Sequence, residues 1–289
     1  GLVMAVISWI IMKGGVGKTS LTIALAEFMA VEHGMRVLVI DLDPQSNATS
    51  CLMPEDEWKR RNMRGQTIMR LFLDAFKDWQ VFNPVDSLVR NVSNVGGGID
   101  GLDLLPSGQE LMDLQDSMLT LGQTEEDRRA LTHLLHNSLK DLLSGYDTVL
   151  IDCPPSLGII TQNGLAMSDY YLIPVIPEAM SVPGIPQMVA RVHRFSRHWG
   201  RMVRPLGIVA TRFREQNREH PVILGDLRAG SRKKGYERVF DTVIHESSAA
   251  ANAIDYRKKP KSLREKYGTE RTFHEYQRLT REVLGYVRV

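Results

Sequence analysis

Apolar positions along this chain follow two rhythms. Six stretches are apolar or β-branched at nearly every position: 3–11 (VMAVISWII), 36–41 (RVLVID), 102–106 (LDLLP), 148–152 (TVLID), 170–175 (YYLIPV) and 205–211 (PLGIVAT). Between them apolar residues recur every three or four positions, as with Leu21, Leu25 and Phe28 in 19–32, and again across 125–143 and 183–199. The first rhythm predicts strands buried on both faces and the second predicts helices. Their alternation implies an α/β fold: a doubly wound, mostly parallel sheet with helices on both faces and right-handed crossovers. Residues 54–100 fit neither rhythm, mixing EDEWKRR, aromatics and a GGG at 96–98 that reads as flexible. No linker, repeat or low-complexity tract divides the chain, so one domain over 1–289 is expected. The opening stretch is short, has no basic leader and runs into a glycine loop, so it reads as a strand and not a signal peptide. No apolar run approaches the roughly 18 residues of a membrane span.

The loop after the first strand is MKGGVGKTS. A phosphate-binding loop reads Gly, any four residues, Gly, Lys, then Ser or Thr. Counting back from Gly17, Lys18 and Thr19 puts Met12 where the first glycine would stand, and a second lysine, Lys13, sits beside it. Glycines at 14, 15 and 17 let backbone N–H groups turn inward around an anion, and a helix starting near Lys18 adds its positive end. The candidate nucleotide set is Lys13, Gly14, Gly15, Val16, Gly17, Lys18, Thr19 and Ser20, with Lys18 directed at the β- and γ-phosphates and the Thr19 hydroxyl at Mg²⁺. Asp152 ends an apolar strand, where a carboxylate holds Mg²⁺ directly or through water. The segment DLDPQSN adds Asp41 and Asp43 at the end of another strand. Of Asp41 and Asp43, one would orient or deprotonate the attacking water while the other supports the Mg²⁺ shell. All of these fall at the carboxyl ends of strands, where parallel sheets bind ligands.

Four blocks now carry a family resemblance: KGGVGKTS, VLVIDLDPQSNATS, LLPSGQEL and DTVLIDCPPSLGIITQNGLAMSDYYLIPV. In this order, over nearly the whole chain, they resemble the ParA branch of the ParA/MinD ATPases, P-loop NTPases with a deviant Walker A loop. The resemblance implies an ATP-dependent homodimer that sandwiches two nucleotides, with Mg²⁺ and ATP as cofactors. It implies that Lys13 crosses to the partner's ATP phosphates, so that Lys13, Lys18 and Asp43 form the catalytic set. It also implies that Asp43 is tied to hydrolysis, that Pro154 and Pro155 belong to a nucleotide-sensing switch, and that Thr211 and Arg212, in the TRF at 211–213, contact adenine. A lysine from a second subunit would neutralise charge on the transferred phosphoryl group, as an arginine finger does elsewhere. Three features depart from the family: Met12 and Ile11 before the loop, Ser20 for a common second Thr, and a long 54–100 region. No helix-turn-helix segment precedes the loop, so the short type is expected.

Charge refines the partner. Residues 185–289 hold 23 Lys and Arg against 11 Asp and Glu, while the rest of the chain is acidic, within an overall charge of +2. Such segregation favours a polyanion. The candidate contacts are Arg218; Arg232, Lys233 and Lys234; and Arg257, Lys258 and Lys259. They suit phosphates without base reading, hence nonspecific double-stranded DNA. The tail TFHEYQRLTREVLGYVRV, with Phe273, Tyr276, Leu279, Val283 and Tyr286 at helical spacing, reads as a docking face, which argues against a membrane partner. Two distant cysteines, Cys51 and Cys153, give no metal or cluster spacing and fit a reducing cytoplasm. The expected function is a cytoplasmic, nucleoid-associated ATPase that partitions or positions cargo. Its hydrolysis would be stimulated by a ParB-like or other adaptor with a basic N-terminal segment. The alternatives are a MinD-like membrane-positioning ATPase and a small-molecule enzyme of the same fold.

Overall fold

Six parallel strands form the sheet in a computed structural model of the chain, which describes residues 5–11, 14–15, 17–109, 111–118, 121–122, 124–268 and 270–287. They are β1 (Ala5–Trp9), β2 (Val37–Asp41), β3 (Leu102–Leu105), β4 (Thr148–Asp152), β5 (Tyr170–Val175) and β6 (Arg204–Ala210), in the order β3-β2-β4-β1-β5-β6. Each matches one of the six apolar runs. Alternate residues of a strand enter different cores, as pleating requires: Leu38 and Ile40 pack on one face, Val37 and Val39 on the other. With both faces covered, a polar residue inside a strand needs a partner: Ser8 shares a hydrogen bond with the Ser168 hydroxyl at 2.7 Å, and Asp103 accepts from the Tyr146 hydroxyl. Register there sets Asp152 beside both Trp9 and Asp41.

Helix α1 (Lys18–His33) follows the glycine loop and is buried over most of its length. Ala24, Ala26 and Ala30 keep it slim enough to lie between the sheet and the last helix, Arg271–Val287, where Phe28 and Phe273 meet at 5.1 Å. Gly34 stops it in a left-handed conformation (φ 59°) with its N–H on the Met29 carbonyl. Phe273, Tyr276, Leu279 and Val283 are buried in the core behind α1, so the apolar face of the last helix is a docking face, as its spacing suggested.

The structure departs from expectation twice. The helix expected over 125–143 is two, Glu125–Thr132 and Leu134–Leu143, broken at His133. Asn163 of the neighbouring helix Ile159–Ala166 inserts at the break, accepting from Leu135 N (3.1 Å) and donating to the Leu131 carbonyl (2.8 Å). The second departure is 54–100, which folds into helices Glu55–Met63, Met69–Lys77 and Pro84–Ser87 and a short 3₁₀ turn, Val95–Gly97. Its GGG is a close-packed turn, not a flexible tether. Gly96 donates to the Pro260 carbonyl at 2.9 Å, and a Cβ on Gly98 would lie 2.3 Å from the Asn91 carbonyl oxygen. Among the described residues no helix is long and apolar enough to cross a membrane.

Candidate functional site

Between β1 and α1 the chain turns through Gly15 (φ 81°) and Gly17 (φ 79°), conformations that favour glycine. A Cβ at Gly14, Gly15 or Gly17 would meet nothing within 4 Å, so the loop encloses open space. α1 begins with no side-chain cap and no acidic residue in its first turn. Its first N–H groups and positive end are therefore available to an anion. Met12, Lys13 and Val16 lie outside the described residues. Ser20 is half-buried in the first turn of α1.

Beneath the loop two of the three candidate carboxylates, Asp43 and Asp152, close on one lysine, and the third, Asp41, stands beside Asp152 in the sheet. Lys18, 5% exposed, donates to Asp43 Oδ2 at 2.7 Å and to the Cys153 carbonyl. Its Nζ also stands 2.7 Å from Asp152 Oδ1, an ion contact without the alignment of a hydrogen bond. Thr19 Oγ1 donates to the other oxygen of Asp152 at 3.3 Å, which sets hydroxyl and carboxylate side by side. Asp41 accepts from the N–H (2.9 Å) and hydroxyl (2.7 Å) of Thr49 through Oδ2, and from Asp43 N (3.0 Å) through Oδ1. Asp43 is held by Gln45 N on Oδ1 (3.0 Å), while the Ser107 hydroxyl donates to its carbonyl (2.8 Å). Ser107 N in turn donates to Thr49 Oγ1 at 3.0 Å. Thr49 and Ser107 were missed in the sequence, although they lie inside NATS and LLPSGQEL, because a lone hydroxyl carries no spacing signal.

Charge in this cluster is unbalanced. Burial opposes the charge on Lys18, but Asp152 and Asp43 outweigh it and hold the ammonium well above its ordinary range. Burial, with repulsion from Asp152, pushes the Asp41 carboxyl up to about 7 despite the bonds from Thr49. Burial raises Asp152 as well, against the pull of Lys18. Three buried carboxylates in one cluster, of which only Asp43 and Asp152 meet the single ammonium, make an acidic surplus that a divalent cation would offset. Among the described residues no three His, Cys, Asp or Glu side chains converge closely enough to hold a metal alone. That donor set fits Mg²⁺, which keeps water and phosphate oxygens for most of its shell and takes only one or two ligands from protein.

Thr211 and Arg212 stand at the carboxyl end of β6, on the same edge of the sheet. Thr211 is buried with its N–H on the Val175 carbonyl, and Arg212 is exposed in a left-handed conformation (φ 48°). Next to them Phe213 packs against His220 and, edge-on, against His245, with centroids 5.8 and 5.2 Å apart. His220 Nδ1 accepts from Arg214 N (3.0 Å), and His245 Nδ1 lies 2.8 Å from Glu275 Oε2. These histidines were not legible either, since tertiary packing alone brings them to Phe213.

The basic candidates separate into two groups. Arg218 precedes helix Glu219–Gly230, and Arg232, Lys233 and Lys234 follow it; all four are exposed. That helix packs through Leu224 and Leu227 on one core. Arg257, Lys258 and Lys259 are also exposed, but their neighbours Ala253 and Leu263 belong to the core on the opposite face. Arg257 is engaged by Asp255, at 3.1 and 3.2 Å.

A family model described as an AAA domain matches residues 4–204. The chromosome-partitioning ATPase Soj of Thermus thermophilus is 32% identical over 275 residues, spanning 95% of this chain and 93% of that protein. Among solved structures, an ATP complex of McdA from Cyanothece aligns with a TM-score of 0.72 at 20% identity, covering 99% of this chain and 98% of that one. Cobyrinic acid a,c-diamide synthase of Mycobacterium smegmatis, with bound ADP and magnesium, aligns with a TM-score of 0.70 at 23% identity, covering 99% and 96%. The two structures share this fold; the loop, the carboxylate cluster and the likeness to Soj together narrow it further. The chain belongs to the ParA family of P-loop ATPases, whose relatives include the chromosome-partitioning ATPase Soj.

Proposed function

We propose that this protein is a partition or positioning ATPase that hydrolyses ATP with Mg²⁺, dimerises around two nucleotides, binds DNA without sequence preference and is stimulated by a partner. The observation that carries this reading is the position of Lys18 between Asp43, Asp152 and the Cys153 carbonyl. Nucleotide phosphates compete with those acceptors for the same ammonium. When Lys18 turns to the phosphates, Asp43 Oδ2 loses its donor and is released to orient a water, while Asp43 Oδ1 stays fixed by Gln45 N. The Cys153 carbonyl is released at the same moment, directly before Pro154 and Pro155, which gives the switch a physical trigger.

Thr19 and Asp152, with Asp41 behind them, would hold Mg²⁺, which supplies charge neutralisation on the phosphate oxygens. The glycine loop and the start of α1 bind and orient the phosphates, and Lys13 of each protomer reaches the other's nucleotide. Thr211 and Arg212 take the base side. ATP and magnesium in complexes of the same fold support these assignments, as does Soj for the partition role. A small-molecule enzyme of this fold is the weaker reading, since that likeness rests on fold alone.

The test is single-turnover hydrolysis beside sedimentation in ATP. Lys13→Ala is expected to bind ATP and lose turnover by about 10³-fold, the scale of a transition-state cation supplied in trans. Wild-type turnover in that variant would remove Lys13 from the mechanism, and a wild-type protein that stays monomeric in ATP would remove the sandwich.

A further inference from the structure

α1 carries a carboxylate that its role in the nucleotide site does not explain. Glu27 is fully buried and accepts from Lys266 Nζ at 2.9 Å, from the Ser93 hydroxyl and from the Tyr267 hydroxyl. Lys266, its side chain 1% exposed, donates again to Asn94 Oδ1 at 2.8 Å. A buried ion pair is weak evidence for stability, because apolar residues of similar volume often do as well. What this one does is fix three separate segments to one another: α1, the turn at 91–98 and the segment 254–267.

The same basic segment hangs from further bonds. Asn94 Nδ2 donates to the carbonyls of Asp255 (3.2 Å) and Lys258 (2.9 Å), and Gly96 N donates to that of Pro260 (2.9 Å). Cys51 Sγ contacts the Ile254 carbonyl at 3.3 Å, and Ser93 N donates to the Leu52 carbonyl at 3.0 Å. Cys51 and Leu52 belong to the short helix Asn47–Leu52, whose Thr49 clamps Asp41. Both elements that hold this segment therefore also hold residues of the nucleotide site, α1 through Lys18 and Thr19, the short helix through Thr49.

A cleft of about 350 Å³ opens beside it, lined among others by Asn94, Asn252, Lys258, Lys259 and Lys266. Lys258 and Lys259 have no carboxylate partner among the described residues, and Lys259 rests 4.0 Å over the Tyr256 ring. Glu265, the one acidic wall residue, is occupied by Lys261 N at 2.9 Å. Polar amides and two ammonium groups without carboxylate partners around a concavity suit a phosphate with its flanking sugar.

We infer that this cleft takes a backbone phosphate of duplex DNA, and that the Glu27–Lys266 network and the helix Asn47–Leu52 couple its affinity to the nucleotide. The inference rests on the DNA-binding reading and selects, among the basic groups, the one that senses ATP. The group at 232–234 sits on the other face of the sheet and adds charge in every nucleotide state.

The experiment measures affinity for a short mixed-sequence duplex in ATP and in ADP across a salt series. Lys258→Ala with Lys259→Ala is expected to weaken ATP-state binding about tenfold and to lower the log–log salt slope by about 0.9, the loss of one phosphate contact. Glu27→Leu with Lys266→Met leaves no lone buried charge but strands the Ser93 and Tyr267 hydroxyls; it is expected to melt below wild type while the ATP-to-ADP affinity ratio of the folded protein falls toward one. Should that variant fail to fold, Ser93→Ala, which removes one donor to Glu27, is expected to lower the same ratio. Lys233→Glu with Lys234→Glu weakens both states by the same factor. Inorganic phosphate at matched ionic strength is expected not to displace the duplex; displacement would make the cleft a free-anion site. Unchanged affinity and slope in the 258–259 variant, or a full ATP-to-ADP ratio in the network variants, overturns the inference while the functional reading stands. Wild-type protein that ignores DNA in ATP overturns both.

Discussion

At the scale of single residues, Lys18 satisfies two carboxylates and a carbonyl. On the proposed function these acceptors compete with nucleotide phosphates for the one ammonium group. Lys18→Ala should therefore abolish measurable ATP binding. It should also cost stability, because Asp43 and Asp152 then face each other without a counter-charge, a loss of about 3–5 kcal/mol read by denaturant unfolding. Thr49→Val keeps the shape but removes the hydroxyl that donates to Asp41 and accepts from Ser107 N, an expected cost of about 1–3 kcal/mol. The Asp41 carboxyl gives a pH signature. Its folded pKa of about 7 lies above the unfolded value of 3.8, so between those limits the native state binds the extra proton. Stability of the nucleotide-free protein should thus fall as pH rises from about 4 to about 7, and Asp41→Asn should flatten that slope in thermal melts. A slope of the opposite sign would mean that Asp41 is not the buried acid described. The motif residues were legible because they recur at fixed spacing in one short loop. Thr49, Ser107 and the two histidines beside Phe213 were not, because their roles come from contacts between segments tens of residues apart.

At the scale of elements, burial decides what the sequence can announce. Strands covered on both faces read as unbroken apolar runs, and all six were recognisable for that reason. The break at His133 could not be seen, since 125–143 keeps its helical rhythm and the cause, Asn163, lies on another helix. Asn163→Leu removes both hydrogen bonds and leaves a buried N–H and carbonyl facing each other across the break. A loss of about 2–4 kcal/mol in denaturant unfolding is expected; a neutral outcome would show that the two helices reseal without it. The 54–100 region hid its helices for a related reason: they are short, and Glu55–Met63 buries none of its residues. The last helix shows the reverse case, an amphipathic pattern correctly read as a docking face because its apolar side matches what α1 offers.

At the scale of the whole molecule, the glycine loop, the carboxylate cluster, Thr211 and Arg212 gather on one edge of the sheet, and basic residues stand on both of its faces. The ATP-gated binding of DNA is what joins these features into one account. It is tested most directly by the affinity of the wild-type protein for mixed-sequence duplex DNA with magnesium in saturating ATP, ADP or no nucleotide. Binding at least about tenfold tighter in ATP than in ADP is expected, falling steeply as salt rises. Equal affinity in the three states would contradict it.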